Sequence, residues 1–219
     1  MEQGIIISVD VVLFTLSEDQ LQVVVVRRDR DPYRQQLALP GGYIHAEEDG
    51  DSLAAAGRVL KEKTGLVSPY LEQLYTFSGG ARDPRGWSVS IAYFALVSRE
   101  TLSAQGNANF QLLPVDALPH LPFDHNRIVE FASQRLRSKS TYSALPCYLL
   151  PQDFTLTELQ QTYEKILGHR LDKSTFRRKL AEQDFLEPVA GAARTGTHRP
   201  AQLYRARPGS GLTLFDRTI

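Results

Sequence analysis

The stretch GGYIHAEEDGDSLAAAGRVLKEKTGL, residues 41–66, decides how the first half of this chain folds. Two glycines open a polar loop, and the loop leads into a segment of alanine, leucine and charged residues that predicts a helix. We expect Ser52 to be the N-cap and Gly65 the C-terminal stop, because hydroxyl side chains and glycine favour these two ends. One face of such a helix, at i, i+3 and i+4 spacing, carries Val59, Glu62 and Lys63.

This face has only one glutamate, where three would make a metal site. Three glutamates at these positions would form a hard-oxygen site able to hold Mg²⁺ or Mn²⁺ against a diphosphate. Here the nominal charge of the face changes from about −3 to about 0, which removes most of the attraction for a divalent cation. Lys63 would instead lie about where the metal ions would, and it would balance the charge of a diphosphate without activating water. The alternative is that Val59 and Lys63 are substitutions on a purely structural helix.

The rest of the first half is rich in strand signals. Runs with high β-propensity occur at residues 5–14, 21–28, 37–39, 71–77 and 87–97, and the first two are joined by a polar turn that predicts a hairpin. A second helix is expected over residues 124–137. Strands wrapped by two helices predict the α/β fold class, as an α/β/α sandwich, with a first domain over residues 1–140.

Residues 141–219 show a different pattern. Thr155 and Glu158 form a capping box, and apolar residues follow at helical spacing until Gly168. A four-residue link leads to a second short helix, and then come two short strand-like runs around a tip rich in glycine, alanine and arginine. This order predicts a winged helix-turn-helix domain.

The second domain also carries the positive charge. Residues 1–140 hold 14 Lys and Arg against 17 Asp and Glu, whereas residues 141–219 hold 11 against 8. Small polar and cationic side chains on one helix face suit base edges and phosphates, and a basic wing suits phosphates or the minor groove. The predicted DNA-binding residues are Lys173, Ser174, Thr175, Arg177, Arg178, Arg194, Thr197, His198 and Arg199. The alternative is a winged helix that binds another protein.

Bulk properties narrow the class of protein. The chain has 219 residues, of which 42% are apolar, so two modest domains can each bury a core. Its one cysteine, Cys147, excludes an intramolecular disulfide and fits a reducing cytosol. The first residues carry no basic segment and no long apolar run, so we expect no signal peptide, no membrane span and a cytoplasmic location.

The 41–66 segment resembles a Nudix box, the motif of a large family of nucleoside-diphosphate hydrolases. Gly42 and Glu48 match the opening of the box, and the spacing from there to the arginine is two residues longer than in the family. The closing part matches at Arg58, Leu60, Glu62, Gly65 and Leu66, while Val59 and Lys63 replace metal-binding glutamates.

Together with the turn RDPRGW, the motif LPFDH and the winged tail, the chain resembles the Nudix-related transcriptional regulators of bacterial NAD metabolism. The resemblance implies a homodimer that binds a palindromic operator near NAD synthesis or salvage genes, usually as a repressor. It also implies ADP-ribose, or a related NAD-derived diphosphate, as the effector, with no required cofactor, no catalytic residue and no bound metal. Resemblance and side-chain chemistry together give the expected effector-binding residues Arg28, Gly42, Arg58, Glu62, Lys63, Arg82, Asp83, Arg85, Trp87 and His125.

Alternatives remain at several of these positions. The 82–87 turn is either a ligand site or an internal Arg82–Asp83 ion pair with Trp87 in the core, and His125 is either a ligand contact or a structural residue at a helix start. Glu47, Glu48 and Glu62 are the carboxylates expected near the former metal site. They would hold at most one weak cation, which keeps an active ADP-ribose hydrolase with an accessory winged helix as the alternative function.

We further expect effector binding to shift a population between two domain arrangements, with residues 139–151 as the hinge.

Overall fold

The computed structural model describes residues 4–17, 20–105, 109–194, 200–207, 212–215 and 218–219. Tertiary contacts divide the chain into two compact units, Met1–Ser133 and Gln134–Ile219. Across the described residues, none of the helices is both long enough and apolar enough to cross a membrane. In chain order the elements are β1 (Ile6–Ser17), β2 (Gln20–Arg27), β3 (Leu37–Ala38), β4 (Gly41–Tyr43), α1 (Ser52–Thr64), β5 (Tyr70–Gly79), β6 (Ser88–Leu96), α2 (Arg99–Ser103), β7 (Phe110–Pro114), α3 (His125–Ser140), β8 (Phe154–Thr155), α4 (Leu156–Leu167), α5 (Lys173–Ala181), β9 (Leu186–Arg194) and β10 (Ala201–Ala206), with short 3-10 helices at Val115–Ala117 and Leu145–Leu149.

The first unit is built on a mixed sheet with β1 at its centre. The strand order is β3-β2-β1-β6-β5, and β4 and β7 also pair with β1 and β2 respectively. β1 and β2 form the expected antiparallel hairpin, with Phe14 opposite Val23. β1 and β6 run parallel, with Val9 opposite Ile91. Strands β1 and β2 are almost continuously apolar because both of their faces are covered.

Helix α1 covers one face of this sheet. Val9, Val11 and Leu13 of β1 point into a core that α1 completes with Val59 and Leu60. The helix ends as predicted at Gly65, whose φ of 74° is the left-handed conformation that glycine adopts without strain.

The predicted N-cap of α1 was wrong by one residue. Asp51, not Ser52, is the cap, and its side chain accepts a hydrogen bond from the Ala54 backbone amide. Ser52 opens the helix instead, and its hydroxyl lies 2.8 Å from the Tyr93 hydroxyl. An aspartate at this position also places a negative charge at the positive end of the helix dipole.

The opposite face of the sheet meets the start of α3. Asp10 alternates with the residues that face α1, and its carboxylate lies 3.6 Å from the His125 ring at the first position of α3. Phe131, six residues further along α3, packs edge-on against Phe77 of β5. The first unit therefore has helices on both faces, which confirms the α/β/α arrangement expected from the sequence.

The second unit is a small winged helix. Thr155 and Glu158 form the predicted capping box at the start of α4, and Gly168 ends the helix with a φ of 79°. The three-stranded sheet has the order β8-β10-β9. Tyr163 of α4 and Phe176 of α5 pack together in the core, at 5.3 Å between ring centroids.

The segment expected to be a hinge is instead part of this unit. α3 continues as a helix to Ser140, and the 3-10 helix that follows buries Leu145, Cys147 and Leu149. The hydroxyl of Tyr163 donates a hydrogen bond of 2.7 Å to the Ser143 carbonyl. The expectation rested on the two prolines and on flanking polar residues, but apolar burial fixes this backbone. The boundary between the two units lies within α3, before the expected position at residue 140.

Candidate functional site

The first unit contains a cavity of about 340 Å³ beside α1. Its walls come from β1, β4, α1, the loop after β2, the turn before β6 and the start of α3. Nine of the ten residues predicted to bind the effector line it, and these are Arg28, Gly42, Arg58, Glu62, Lys63, Arg82, Asp83, Arg85 and His125. Trp87 lies outside this lining and is 47% exposed.

Arg58 is held in place by carboxylates on two sides. Its guanidinium donates to both oxygens of Asp49, at 2.8 and 2.7 Å, and to the backbone carbonyl of Tyr43 at 3.0 Å. It also reaches Glu62, one turn along α1, at 3.2 Å. The hydrogen bonds from Arg58 lower the pKa of Asp49 to about 2, and they raise the pKa of Arg58 in turn.

The partner of Arg58 is thus Asp49, not Glu48, which the box motif singled out. Glu48 lies in the loop before α1 and contacts the His45 ring at 3.0 Å. Arg58 clamps this loop onto α1, which makes it first of all an organiser of the cavity wall.

The face carrying Val59, Glu62 and Lys63 is divided between core and solvent. Val59 is 1% exposed and packs in the core, and a Cβ added at Gly42 would lie only 3.0 Å from one of its methyl carbons. The Glu62 side chain is 55% exposed and turns to Arg58. Among the described residues, the Lys63 ammonium has no ion-pair or hydrogen-bond partner, and this residue lines the cavity.

The 82–87 turn is an ion-pair network, but with different partners from those expected. Arg82 pairs with Asp124 through two hydrogen bonds, at 3.1 and 2.9 Å. Arg85 takes Asp83, at 3.0 and 2.6 Å. Burial alone would raise the pKa of Asp83, but the hydrogen bonds from Arg85 lower it below its ordinary value. The alternative of an Arg82–Asp83 pair with a buried Trp87 was therefore wrong.

Asp10 and His125 form a buried polar floor. Asp10 is 6% exposed and accepts a 2.5 Å hydrogen bond from Ser90. The Nδ1 atom of His125 accepts a hydrogen bond of 3.1 Å from the Leu39 amide, so its proton resides on Nε2, the nitrogen that faces Asp10. Burial lowers the pKa of His125, and the nearby Asp10 opposes this only in part. His125 is a neutral, structurally fixed ring at the edge of the cavity.

Arg28 lies on the other side of the cavity, stacked on an aromatic side chain. Its guanidinium carbon is 4.8 Å from the centroid of the Phe123 ring, and Tyr33 meets the same ring edge-on at 5.0 Å. Partial burial and the nearby Arg85 lower the pKa of Arg28. An arginine fixed in this way offers its remaining N–H groups to an anion in the cavity.

Several carboxylates line the cavity, from different elements of the first unit. Within the part of the chain that the structure describes, no group of three or more His, Cys, Asp or Glu side chains is arranged to hold a metal ion. Of the three carboxylates expected near the former metal site, Glu62 lines the cavity, whereas Glu47 and Glu48 do not. The carboxylates that line it are Asp10, Asp29, Asp31, Glu62 and Asp83.

Helix α5 of the second unit presents a cationic face. Phe176 and Leu180 are buried, while Lys173, Ser174, Arg177 and Arg178 on other faces are exposed and Thr175 is half-buried. Asp172 caps the helix by accepting from the Thr175 amide at 2.9 Å. Among the described residues, the charged groups of Lys173, Arg177 and Arg178 have no intramolecular partner. Their charges remain available to an external anion.

Arg194 differs from these three cations. Its guanidinium lies 2.6 Å from Glu158 at the start of α4 and also donates to the Asp153 carbonyl at 3.2 Å. The geometry therefore supports a structural contact for Arg194, not the direct DNA contact expected from its place beside the wing tip. The other predicted wing residues, Thr197, His198 and Arg199, lie outside the described residues.

Comparisons with known proteins agree with both halves of this description. A NUDIX domain model matches residues 6–132, and a model of the NrtR DNA-binding winged helix domain matches residues 146–206. The chain is 41% identical over 204 residues to the ADPR responsive transcriptional repressor NtrR of Acinetobacter baylyi, covering 91% of this chain and 81% of that protein. The chain belongs to the NrtR family.

Solved structures of the NrtR family show the same architecture. The crystal structure of Shewanella oneidensis NrtR complexed with a 27mer DNA has a TM-score of 0.88 at 37% identity, covering 97% of this chain and 99% of that one. The NUDIX domain of the same protein, complexed with ADP ribose, has a TM-score of 0.54 at 37% identity and covers 61% of this chain and 90% of that one.

Two residues that line this NrtR-family cavity, Asp10 and Phe123, and one that holds its wall through Arg58, Asp49, were missed from the sequence. Asp10 is a single acidic residue within an apolar strand. This pattern indicates a buried polar site, and the sequence alone could have pointed to it. Asp49 was overlooked because the neighbouring Glu48 fits the box. Phe123 has a φ of 59°, unusual for an aromatic residue, and nothing in its sequence context indicates this conformation or its contact with Arg28.

Proposed function

We propose that this protein is a transcriptional repressor that senses ADP-ribose without hydrolysing it. The observation that carries the proposal is the altered face of α1. Arg58 of the hydrolase motif is kept, Val59 is buried in the core, and Lys63 lines the cavity without a partner among the described residues. A cavity with this lining can bind a diphosphate but has no cluster that would hold two metal ions around it.

The cavity suggests how a diphosphate linking two riboses would be held. Lys63 and Arg28 offer positive charge to the phosphates, from α1 and from the end of β2 respectively. Arg82 and Arg85 are partly neutralised by Asp124 and Asp83, so that turn presents both donors and acceptors. Such mixed groups suit ribose hydroxyls better than they suit a second anion. Glu62, Asp83 and Gly42 complete the predicted contacts, and Trp87 remains a predicted contact only if the ligand extends beyond the lining.

DNA binding is assigned to α5 and the wing. Lys173, Arg177 and Arg178 supply unpaired charge for phosphates, and Ser174 and Thr175 lie beside them at the start of the helix, where small polar groups can reach base edges. We further propose that the protein acts as a homodimer on a palindromic operator near NAD synthesis or salvage genes. A two-fold protein would then match two half-sites about one DNA turn apart. Such binding would place it in the cytoplasm, at the nucleoid.

Regulation follows if the two ligands favour different states. ADP-ribose in the first unit would favour a state whose two recognition helices no longer match the half-sites. A coupling of about 1–3 kcal/mol would change operator affinity by roughly 5- to 150-fold. Because α3 begins at the cavity with His125 and continues to Ser140, we expect this helix, rather than a hinge over residues 139–151, to carry the coupling.

Two measurements test the proposal together. Isothermal titration of ADP-ribose in EDTA should show binding, and fluorescence anisotropy with a DNA duplex enriched from a random pool should show that ADP-ribose weakens DNA binding. An absolute requirement for Mg²⁺ in the first experiment, or unchanged DNA affinity in the second, would contradict it.

The competing function is that of an active ADP-ribose pyrophosphatase with an accessory winged helix. Release of AMP from ADP-ribose with Mg²⁺ or Mn²⁺, at a rate near the usual enzyme median of about 10 s⁻¹, would favour it. We expect no turnover above background. The proposed homodimer is tested separately, by measuring the molar mass of the protein in solution with light scattering.

A further inference from the structure

Two arginines tie the wing, the β9–β10 hairpin, to the start of α4. Arg205 of β10 makes two parallel hydrogen bonds to the Asp153 carboxylate, at 2.9 and 3.0 Å. Arg194, the last residue of β9, lies 2.6 Å from Glu158 of α4 and donates to the Asp153 backbone. We call these two ion pairs the wing latch.

Glu158 can cap α4 and bind Arg194 at the same time because its two carboxylate oxygens have separate partners. One oxygen, Oε2, accepts from the Thr155 amide at 2.7 Å and from the Thr155 hydroxyl at 3.0 Å, which completes the capping box. The other, Oε1, accepts from Arg194. The cap fixes the rotamer of Glu158, so the carboxylate is already aimed at the wing and loses little side-chain entropy when Arg194 binds.

The wing latch lies where few backbone pairs hold the hairpin to β8. β8 contributes only two residues to the sheet, with Leu203 opposite Thr155 and Tyr204 opposite Phe154. Beyond this short ladder, β9 and β10 pair with each other, through an irregular register between Gln202 and Tyr204. The Arg194–Glu158 pair therefore adds a side-chain contact to α4 at the end of the hairpin that leads to the wing tip. The Arg205–Asp153 pair adds one near the base of the hairpin, where Arg205 lies opposite Glu187.

We propose that Glu158 and Arg194 are positioning residues for DNA binding: they hold the wing at a fixed place relative to α4, and Arg194 itself makes no phosphate contact. This rests on the proposed DNA-binding function of α5 and the wing. A phosphate contact by Arg194 would have to displace a carboxylate that is already 2.6 Å away, whereas Lys173, Arg177 and Arg178 have no partner to displace among the residues that the structure describes.

The proposal predicts that removing one negative charge weakens DNA binding. Removing a carboxylate from a DNA-binding domain normally strengthens binding, because it raises the positive charge. Glu158→Gln should instead weaken binding by about two- to fivefold, the range expected for losing one partly exposed ion pair. Gln at this position still completes the capping box, so the helix start is preserved.

The matched control is Asp184→Asn. Asp184 pairs with Arg207 at 2.8 Å in the same unit but is not part of the latch, and its substitution changes the net charge by the same amount as Glu158→Gln. Arg194→Gln and the double variant Glu158→Gln/Arg194→Gln complete the set. Affinity for a fluorescein-labelled duplex enriched from a random pool is measured by anisotropy between 50 and about 200 mM salt, where phosphate contacts are resolved by slope.

We expect Glu158→Gln, Arg194→Gln and the double variant to be equally weakened, with salt slopes like that of the wild type, and Asp184→Asn to bind at least as tightly as the wild type. The proposal is overturned if Glu158→Gln binds like Asp184→Asn. It is also overturned if Arg194→Gln alone weakens binding and lowers the slope by about 0.9, the signature of one lost phosphate contact. Absence of salt-dependent binding by the wild type would instead refute the proposed function itself.

Discussion

Replacing Lys63 by Met should weaken ADP-ribose binding strongly while leaving the fold intact. The Lys63 ammonium has no partner among the described residues, so its removal orphans no other group and leaves no buried charge. Surface changes of this kind alter folding stability by only about 0.5 kcal/mol or less. The effect should therefore appear in binding alone.

The magnitude follows from the type of contact. A hydrogen bond between charged groups contributes about 1.5–3 kcal/mol, and each 1.4 kcal/mol is tenfold in affinity. Val59 beside Lys63 is buried and apolar, so the site is less screened than open solvent, and the loss should lie inside this range. Lys63→Met should thus bind ADP-ribose roughly 10- to 150-fold more weakly than the wild type, and Lys63→Arg should keep most of the affinity.

Isothermal titration in EDTA measures this, with Lys61→Met as the matched control. Lys61 and Lys63 both lie in the last turn of α1, so each substitution removes the same favourable interaction with the helix dipole. Lys61 is exposed and does not line the cavity. If Lys63→Met binds ADP-ribose within twofold of Lys61→Met, Lys63 is not the counter-ion of the diphosphate, and the reasoning from the altered box fails.

Three further predictions concern stability. Gly57→Ala should stabilise α1 by about 1 kcal/mol, since an added Cβ meets no atom within 4 Å, and thermal denaturation should show a rise of roughly 2–4 °C in Tm. Gly41→Ala should destabilise the first unit by about 1–3 kcal/mol in urea denaturation, because its Cβ would lie 2.1 Å from an Asp10 oxygen; a neutral result would contradict the tight packing at the cavity floor. Burial lowers the pKa of His125 in the folded state, so the unfolded state binds the proton more readily. Stability should be complete above the ordinary histidine pKa of about 6.5 and fall as the pH drops below it, and His125→Asn should flatten this fall in urea denaturation at about pH 7.5 and about pH 5.5.

Local signals in the sequence predicted the elements that they directly encode. The β1–β2 hairpin, the end of α1 at Gly65 and the capping box of Thr155 and Glu158 were confirmed, because each depends on residues within a few positions of one another. The short strands β4 and β7 were missed, since three to five residues carry no readable periodicity and form only through pairing with distant strands.

The candidate cavity was predicted in its members but not in its pairings. The residue types suited to a diphosphate were recognised individually, yet Arg82 with Asp124 and Arg58 with Asp49 depend on how loops fold back across the sheet. The intramolecular partner of Arg194 was missed for the same reason, because Glu158 lies 36 positions earlier in the chain and only the fold brings the two together. Charge pattern alone does not distinguish a cation that awaits a ligand from one that already has a partner.

The parallel pairing of β1 with β6 has a consequence for synthesis of the protein. Asp10 and Ser90, whose side chains meet on the cavity floor, are 80 positions apart, and the edge of β1 that faces away from β2 and β4 is paired only when β6 has been made. Until then the β1–β2 hairpin leaves the ribosome with one apolar edge open, which favours chaperone binding or aggregation. Because such distant pairing is slow, we expect the cavity to be among the last features of the first unit to form during folding, and ADP-ribose present during refolding should raise the yield without accelerating the early steps.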